Sequence, residues 1–120
     1  MIGSLMMRVS VVVLLIGMLA GIAMGVKQDF ALAPAHAHLN LVGGVLLFLF
    51  GLYYRLVPAA AENRLAKWQG WLHIIGAIVF PVGVGLVVTQ GEALVAIPII
   101  GSLIVVAAVL LFTAIVFQTT

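Results

Sequence analysis

Polar residues along this chain are few and clustered, and they leave four long apolar stretches between them. A helix needs about 20 apolar residues to cross the hydrocarbon core of a bilayer. Residues 5–26, 34–57, 67–89 and 93–118 meet that length. The polar breaks between them read KQDFALA, PAAAENRLA and QGE. Links this short make successive helices pack antiparallel. The pattern therefore predicts an all-α membrane protein, a four-transmembrane-helix bundle of up-down topology, with one domain over residues 1–120.

Residue type refines each stretch. The first carries Arg8 before its apolar run and small residues near Ala31-Leu32-Ala33, as a secretory signal does. Its run is longer than a signal's apolar region, so it is expected to remain as a span. Gly17, Gly21 and Gly25 recur every four residues and line one helix face. Such a stripe lets another backbone approach closely, either within the chain or between copies. Pro34 suits the first turn of the second helix, where its missing N–H is not needed. Pro81 and Pro98 are expected inside the third and fourth helices, each removing a backbone hydrogen bond and kinking its helix.

Orientation follows from the basic residues. Arg8 lies near the amino end, and Arg55, Arg64 and Lys67 flank the middle link, while Lys27 alone lies opposite, with Asp29 and Glu92. Both termini and the middle link are predicted to be cytoplasmic, and the bacterial inner membrane is the expected location. Tyr53, Tyr54, Trp68 and Trp71 fall at that same inner interface, where amphipathic rings serve as anchors.

Composition narrows the chemistry. Only 7% of residues are charged, against about a quarter in a soluble domain, so most of the surface must face lipid. A formal charge of +2, scattered along the chain, gives no nucleic-acid footprint. The absence of cysteine excludes disulfides, thiolate metal sites, iron–sulfur clusters and covalently attached c-type haem. With Asp29, Glu62 and Glu92 as the whole acidic complement, a hydrolase built on paired carboxylates is excluded as well.

Three histidines remain. Ionisable residues within transmembrane segments are costly and point to function by default. His36 and His38 open the second span, followed by Asn40 and the pair Gly43-Gly44. Two positions apart on a helix, the imidazoles diverge by about 200°, so they cannot close on one small ion. They can serve partners on opposite faces: two haems, or one haem and a neighbouring subunit. Asn40 lies one turn below His36 on its face, and Gly43 and Gly44 are expected to leave room for a flat macrocycle. His73 lies about one turn into the third helix from the cytoplasmic side. It shares a face with Gly70, Gly76 and Ala77, either as a ligand or as a buried histidine bonded across helices. Most of the bilayer, roughly 20 Å at 1.5 Å per residue, separates it from His38. One iron cannot be clamped between those two within one chain.

The string His36-x-His38, Gly43, then Gly51-x-Tyr53-Tyr54-x-Leu56-Val57-Pro58 resembles the tenth transmembrane helix of the haem-copper oxidase catalytic subunit. The likeness is nearest to C-type oxidases and nitric oxide reductases. Leu72-His73-Ile74-Ile75-Gly76 is similar to the start of that family's eleventh helix. Together these strings cover about half the chain. The resemblance implies that His36 matches the ligand of the high-spin haem and His38 that of the low-spin haem. The family's catalytic subunit has twelve helices in three four-helix arcs. A four-helix chain is one such arc, which implies a homotrimer with b-type haem ligated at protomer interfaces. No residues match the family's copper-ligating histidines or its reaction-site tyrosine, and Gly44 stands where the C-type pattern carries an aromatic residue. Lys27 is the one basic residue placed to meet haem propionates. What the resemblance implies therefore stops at haem binding, with electron transfer or small-ligand binding as its use. No electron donor is indicated.

Two other readings stay open. One is a copper- or zinc-binding membrane protein that uses the outer His36-x-His38 pair, with Met24 as the one methionine nearby. The other is a structural accessory subunit of a membrane complex, in which the histidines only pack.

Overall fold

The computed structural model describes all 120 residues. Four long helices make up the chain: α1 (Ile2–Lys27), α2 (Ala33–Leu56), α3 (Ala66–Gln90) and α4 (Ala96–Thr119). Each is long and apolar enough to cross a membrane, and no residue is in a strand. A single turn, Pro58–Ala61, joins α2 to α3, and a short 3₁₀ turn, Glu92–Leu94, leads into α4.

The ends of the helices follow from local chemistry. Gln28 closes α1 in the left-handed conformation (φ 52°, ψ 35°), and its side-chain amide donates to the Gly25 carbonyl at 2.7 Å. Gly91 ends α3 at φ 99°, a backbone conformation that residues with a Cβ rarely adopt. Pro34 lies in the first turn of α2 as expected, and Pro81 lies within the continuous α3. Pro98 differs from expectation. Because Glu92–Leu94 winds as a 3₁₀ turn, α4 begins only at Ala96, and Pro98 falls in the first turn of the helix. There a missing N–H costs no helical hydrogen bond.

Neighbouring residues define the register. Gly3 abuts Gly51 and Gly21 abuts His36, so α1 and α2 run antiparallel. Ala77 packs beside Gly43, and Tyr54 bonds to Gln69, so α2 and α3 do the same. In α3 and α4, Gly76 meets Val105 and Gly83 meets Pro98, again antiparallel. The Cα envelope measures 46 × 29 × 19 Å, a flattened bundle. Helix α3 is the most enclosed of the four, while α1 and α4 bury few of their side chains within the chain. Only 24 of 120 residues are buried. The interior of one chain therefore accounts for a small share of its apolar surface, and lipid or other copies must meet the rest.

The interior gathers Met6, Leu47, Tyr54, Ile74 and Ile115, with Phe50 and Phe112 stacked beside it at 3.8 Å. A polar string crosses this core. Tyr54 donates to Gln69 Oε1 at 2.9 Å, and Gln69 Nε2 donates to the Ala108 carbonyl at 3.3 Å, joining α2, α3 and α4. Tyr54 is only 2% exposed, so it is an internal hydrogen-bond donor and not the interface anchor the sequence suggested. The buried amide of Gln69 reaches across the core and draws the ring inward. Trp68 and Trp71 do lie outside, at 69% and 45% exposure. Replacing Tyr54 by phenylalanine removes the donor to a buried acceptor, which costs about 1–3 kcal/mol. Thermal unfolding of Tyr54→Phe in detergent is expected to show a Tm several degrees below the wild type.

Candidate functional site

The first turns of α2 set the histidines, and the turns below them depart from α geometry. Ala33–His38 is regular α-helix, and Leu39–Leu46 then widens into a π-helix. A wider turn closes i→i+5 hydrogen bonds and keeps three successive residues, Val42, Gly43 and Gly44, on the buried side. The missing side chains at Gly43 and Gly44 admit α1. A Cβ on Gly43 would stand 3.0 Å from Val13 and 3.5 Å from Ala77, and one on Gly44 would collide with Leu14.

The two imidazoles diverge as helix geometry requires. His36 turns to α1, where its Cε1 lies against Gly21. His38 turns to α3 and meets the edge of Phe80, with ring centroids 4.7 Å apart. Nδ1 of His38 is 2.7 Å from the Pro34 carbonyl. A carbonyl only accepts, so Nδ1 carries the proton and donates, and in the neutral imidazole Nε2 is the nitrogen with the lone pair. A histidine held in this way, by a backbone carbonyl on its other nitrogen, is oriented for an axial or metal-ligating role.

Asn40 shares the His36 face, as its spacing predicts. Its amide donates to the His36 carbonyl at 2.8 Å and occupies the space where Gly17 lacks a Cβ. The amide nitrogen is 3.2 Å from Nδ1 and 3.4 Å from Nε2 of His36. Near-equal distances place it over the ring face, so neither nitrogen's in-plane lone pair is committed to it. Gly17 and Gly21 of the glycine stripe are thus taken up within the chain, and Gly25 meets nothing within 4 Å.

His73 is fully buried. Its Nε2 donates to the Val42 carbonyl at 2.9 Å, inside the widened segment of α2, and the Phe50 ring lies edge-on at 5.1 Å. Nδ1 has no hydrogen-bond partner. The hydrogen bond across helices weighed from the sequence is formed through Nε2.

No three histidine or carboxylate side chains converge. A cleft of about 430 Å³ between α1, α2 and α3 does bring His36 together with Met24, Asp29 and Lys27. Met24 and His36 are a donor pair suited to copper(I), and the Lys27 ammonium and Asp29 carboxylate of the same cleft offset one another in charge. The π-helix, the Tyr54–Gln69 string and this cleft are absent from the sequence reading. A Gly-Gly pair within a span was the one visible sign of the first.

Family models, curated proteins and solved structures were all compared with the chain, and none matches it.

The site's geometry fits a haem in one respect and not in another. Val13, Leu14 and Ala77 fill the space beside Gly43 and Gly44, so no slot for a macrocycle remains at that pair. His38 is half-buried, and its Nε2, which makes no hydrogen bond in the chain, is the atom left to hold a ligated group.

Proposed function

We propose that this chain is a haem-binding integral membrane protein, in which His38 would ligate a b-type haem at a junction between copies. The observation that carries the reading is the His38–Pro34 hydrogen bond, which commits Nδ1 and leaves Nε2 of this half-buried side chain without a hydrogen bond in the chain. The filled glycine cradle moves the macrocycle from the interior of one chain to a junction between chains. The flattened four-helix shape is compatible with one arc of a three-copy ring. The extensive apolar surface of α1 and α4 leaves area for such contacts. His36, on the opposite face, addresses a different neighbour. In this reading the termini and the middle link are cytoplasmic, by the placement of Arg8, Arg55, Arg64 and Lys67, and the chain resides in a bacterial inner membrane.

Bound haem would supply one-electron transfer or small-ligand binding. The protein's part is to fix the orientation and tautomer of His38 and to exclude water with the surrounding apolar helices. The test is the absorption spectrum of detergent-purified, haem-supplemented protein, oxidised, reduced and exposed to carbon monoxide. A Soret band that sharpens on reduction is expected. Insensitivity to carbon monoxide would mark a six-coordinate electron-transfer haem, and a shift with carbon monoxide a five-coordinate, ligand-binding one. Free haem alone in the spectrum would refute the proposal.

A further inference from the structure

The cleft at the end of α1 is lined by His36 and not by His38. Small side chains open it: Ala20 and Ala23 on α1, Ala35 on α2 and Gly85 on α3. Even a Cβ added to Gly85 would stand 3.6 Å from Ala35 and from Leu32. The body of the cleft is apolar, and its ionisable groups are Lys27, Asp29 and His36. From Ala20 to Lys27 the α1 wall rises about 10 Å at 1.5 Å per residue.

An apolar cleft with a few convergent polar groups at one end selects an amphiphile. The polar end lies where α1 finishes, at headgroup depth for a helix that spans the bilayer. The apolar end lies at hydrocarbon depth. Asp29 accepts from the Ala31 N–H at 3.1 Å with one carboxylate oxygen, which leaves its second oxygen available as an acceptor. Lys27 and Asp29 are both exposed. An ammonium donor beside a free carboxylate oxygen suits a headgroup that carries both an anion and a hydroxyl.

We propose that this cleft binds an anionic glycerophospholipid of the phosphatidylglycerol type. The phosphate lies on Lys27, a headgroup hydroxyl donates to Asp29, and the first carbons of one acyl chain run along Ala23 and Ala20. The proposal needs the chain to be in a membrane and does not depend on haem at His38.

The test is native mass spectrometry of the full chain released from nanodiscs containing equal amounts of phosphatidylglycerol and phosphatidylcholine. Phosphatidylglycerol is expected to remain bound about fivefold more often, the ratio that corresponds to roughly 1 kcal/mol for one basic residue at an anionic surface. Lys27→Gln, a change at an exposed position, should bring the two lipids to parity. Ala23→Phe, which fills the cleft, should lower retention of both, and circular dichroism checks that its helix content is kept. Glycerol 3-phosphate, which has the anion and hydroxyls but no chain, should not displace the lipid. Equal retention of both lipids by the wild type, unchanged preference in Lys27→Gln, or displacement by glycerol 3-phosphate would each overturn the proposal.

Discussion

His38→Ala is expected to abolish the haem spectrum, while His73→Ala leaves it in place. The contrast follows from what each imidazole has free. His38 donates from Nδ1 to the Pro34 carbonyl, and its Nε2 has no hydrogen-bond partner in the chain. His73 spends Nε2 on the Val42 carbonyl and has its other nitrogen sealed inside the core. Losing a partner that merely orients a ligand costs about 10–100-fold in metal affinity. Loss of the ligand itself should exceed that and leave no Soret band at micromolar protein. His36→Ala separates two versions of the account. A band retained in full assigns haem to His38 alone, and a band reduced by half assigns one haem to each face. Loss of the band in His73→Ala with helix content unchanged would contradict the assignment.

The second large effect belongs to the contact between α3 and α4. A Cβ built on Gly101 would lie 2.6 Å from the backbone N and Cα of Phe80, and one on Gly83 would lie 2.6 Å from the backbone N of Pro98. Both obstacles are main chain, so no rotamer change relieves them and the helices must part. Gly101→Ala or Gly83→Ala is therefore expected to cost about 1–3 kcal/mol, as overpacking does. Thermal unfolding in detergent should show this as a lowered Tm. The pair should cost less than the sum of the singles, because one separation relieves both collisions. Phe80 also carries the edge contact to His38, so the Gly101 variant should weaken haem retention along with stability.

Much of this architecture was legible in the chain, because the lipid constraint acts on whole segments. Twenty apolar residues in a row leave a backbone little choice but helix, and short links settle which helices are neighbours. The divergence of His36 and His38 follows from 3.6 residues per turn over a regular helix, and the shared face of His36 and Asn40 holds across the first residues of the π-helix. Further into the π-helix that arithmetic fails. The π-helix shifts the faces, and Gly43 and Gly44 both turn inward to receive Val13 and Leu14. The room expected for a macrocycle is therefore taken by α1. Tyr54 was misread for a related reason. Its position near a span end matched an anchor, but its true partner, Gln69, is a side chain on another helix whose rotamer no local pattern reveals. The lipid cleft was hidden as well, since it is made by missing volume on three separate helices.

The central claim is that haem sits between copies of this chain, and native mass spectrometry of the haem-supplemented protein in detergent addresses it most directly. The account predicts that haem is retained on oligomers, with the trimer as the principal haem-bearing species, and that His38→Ala protein carries none. Haem retained on a monomer, or a wild-type protein without haem in any oligomeric state, would contradict it.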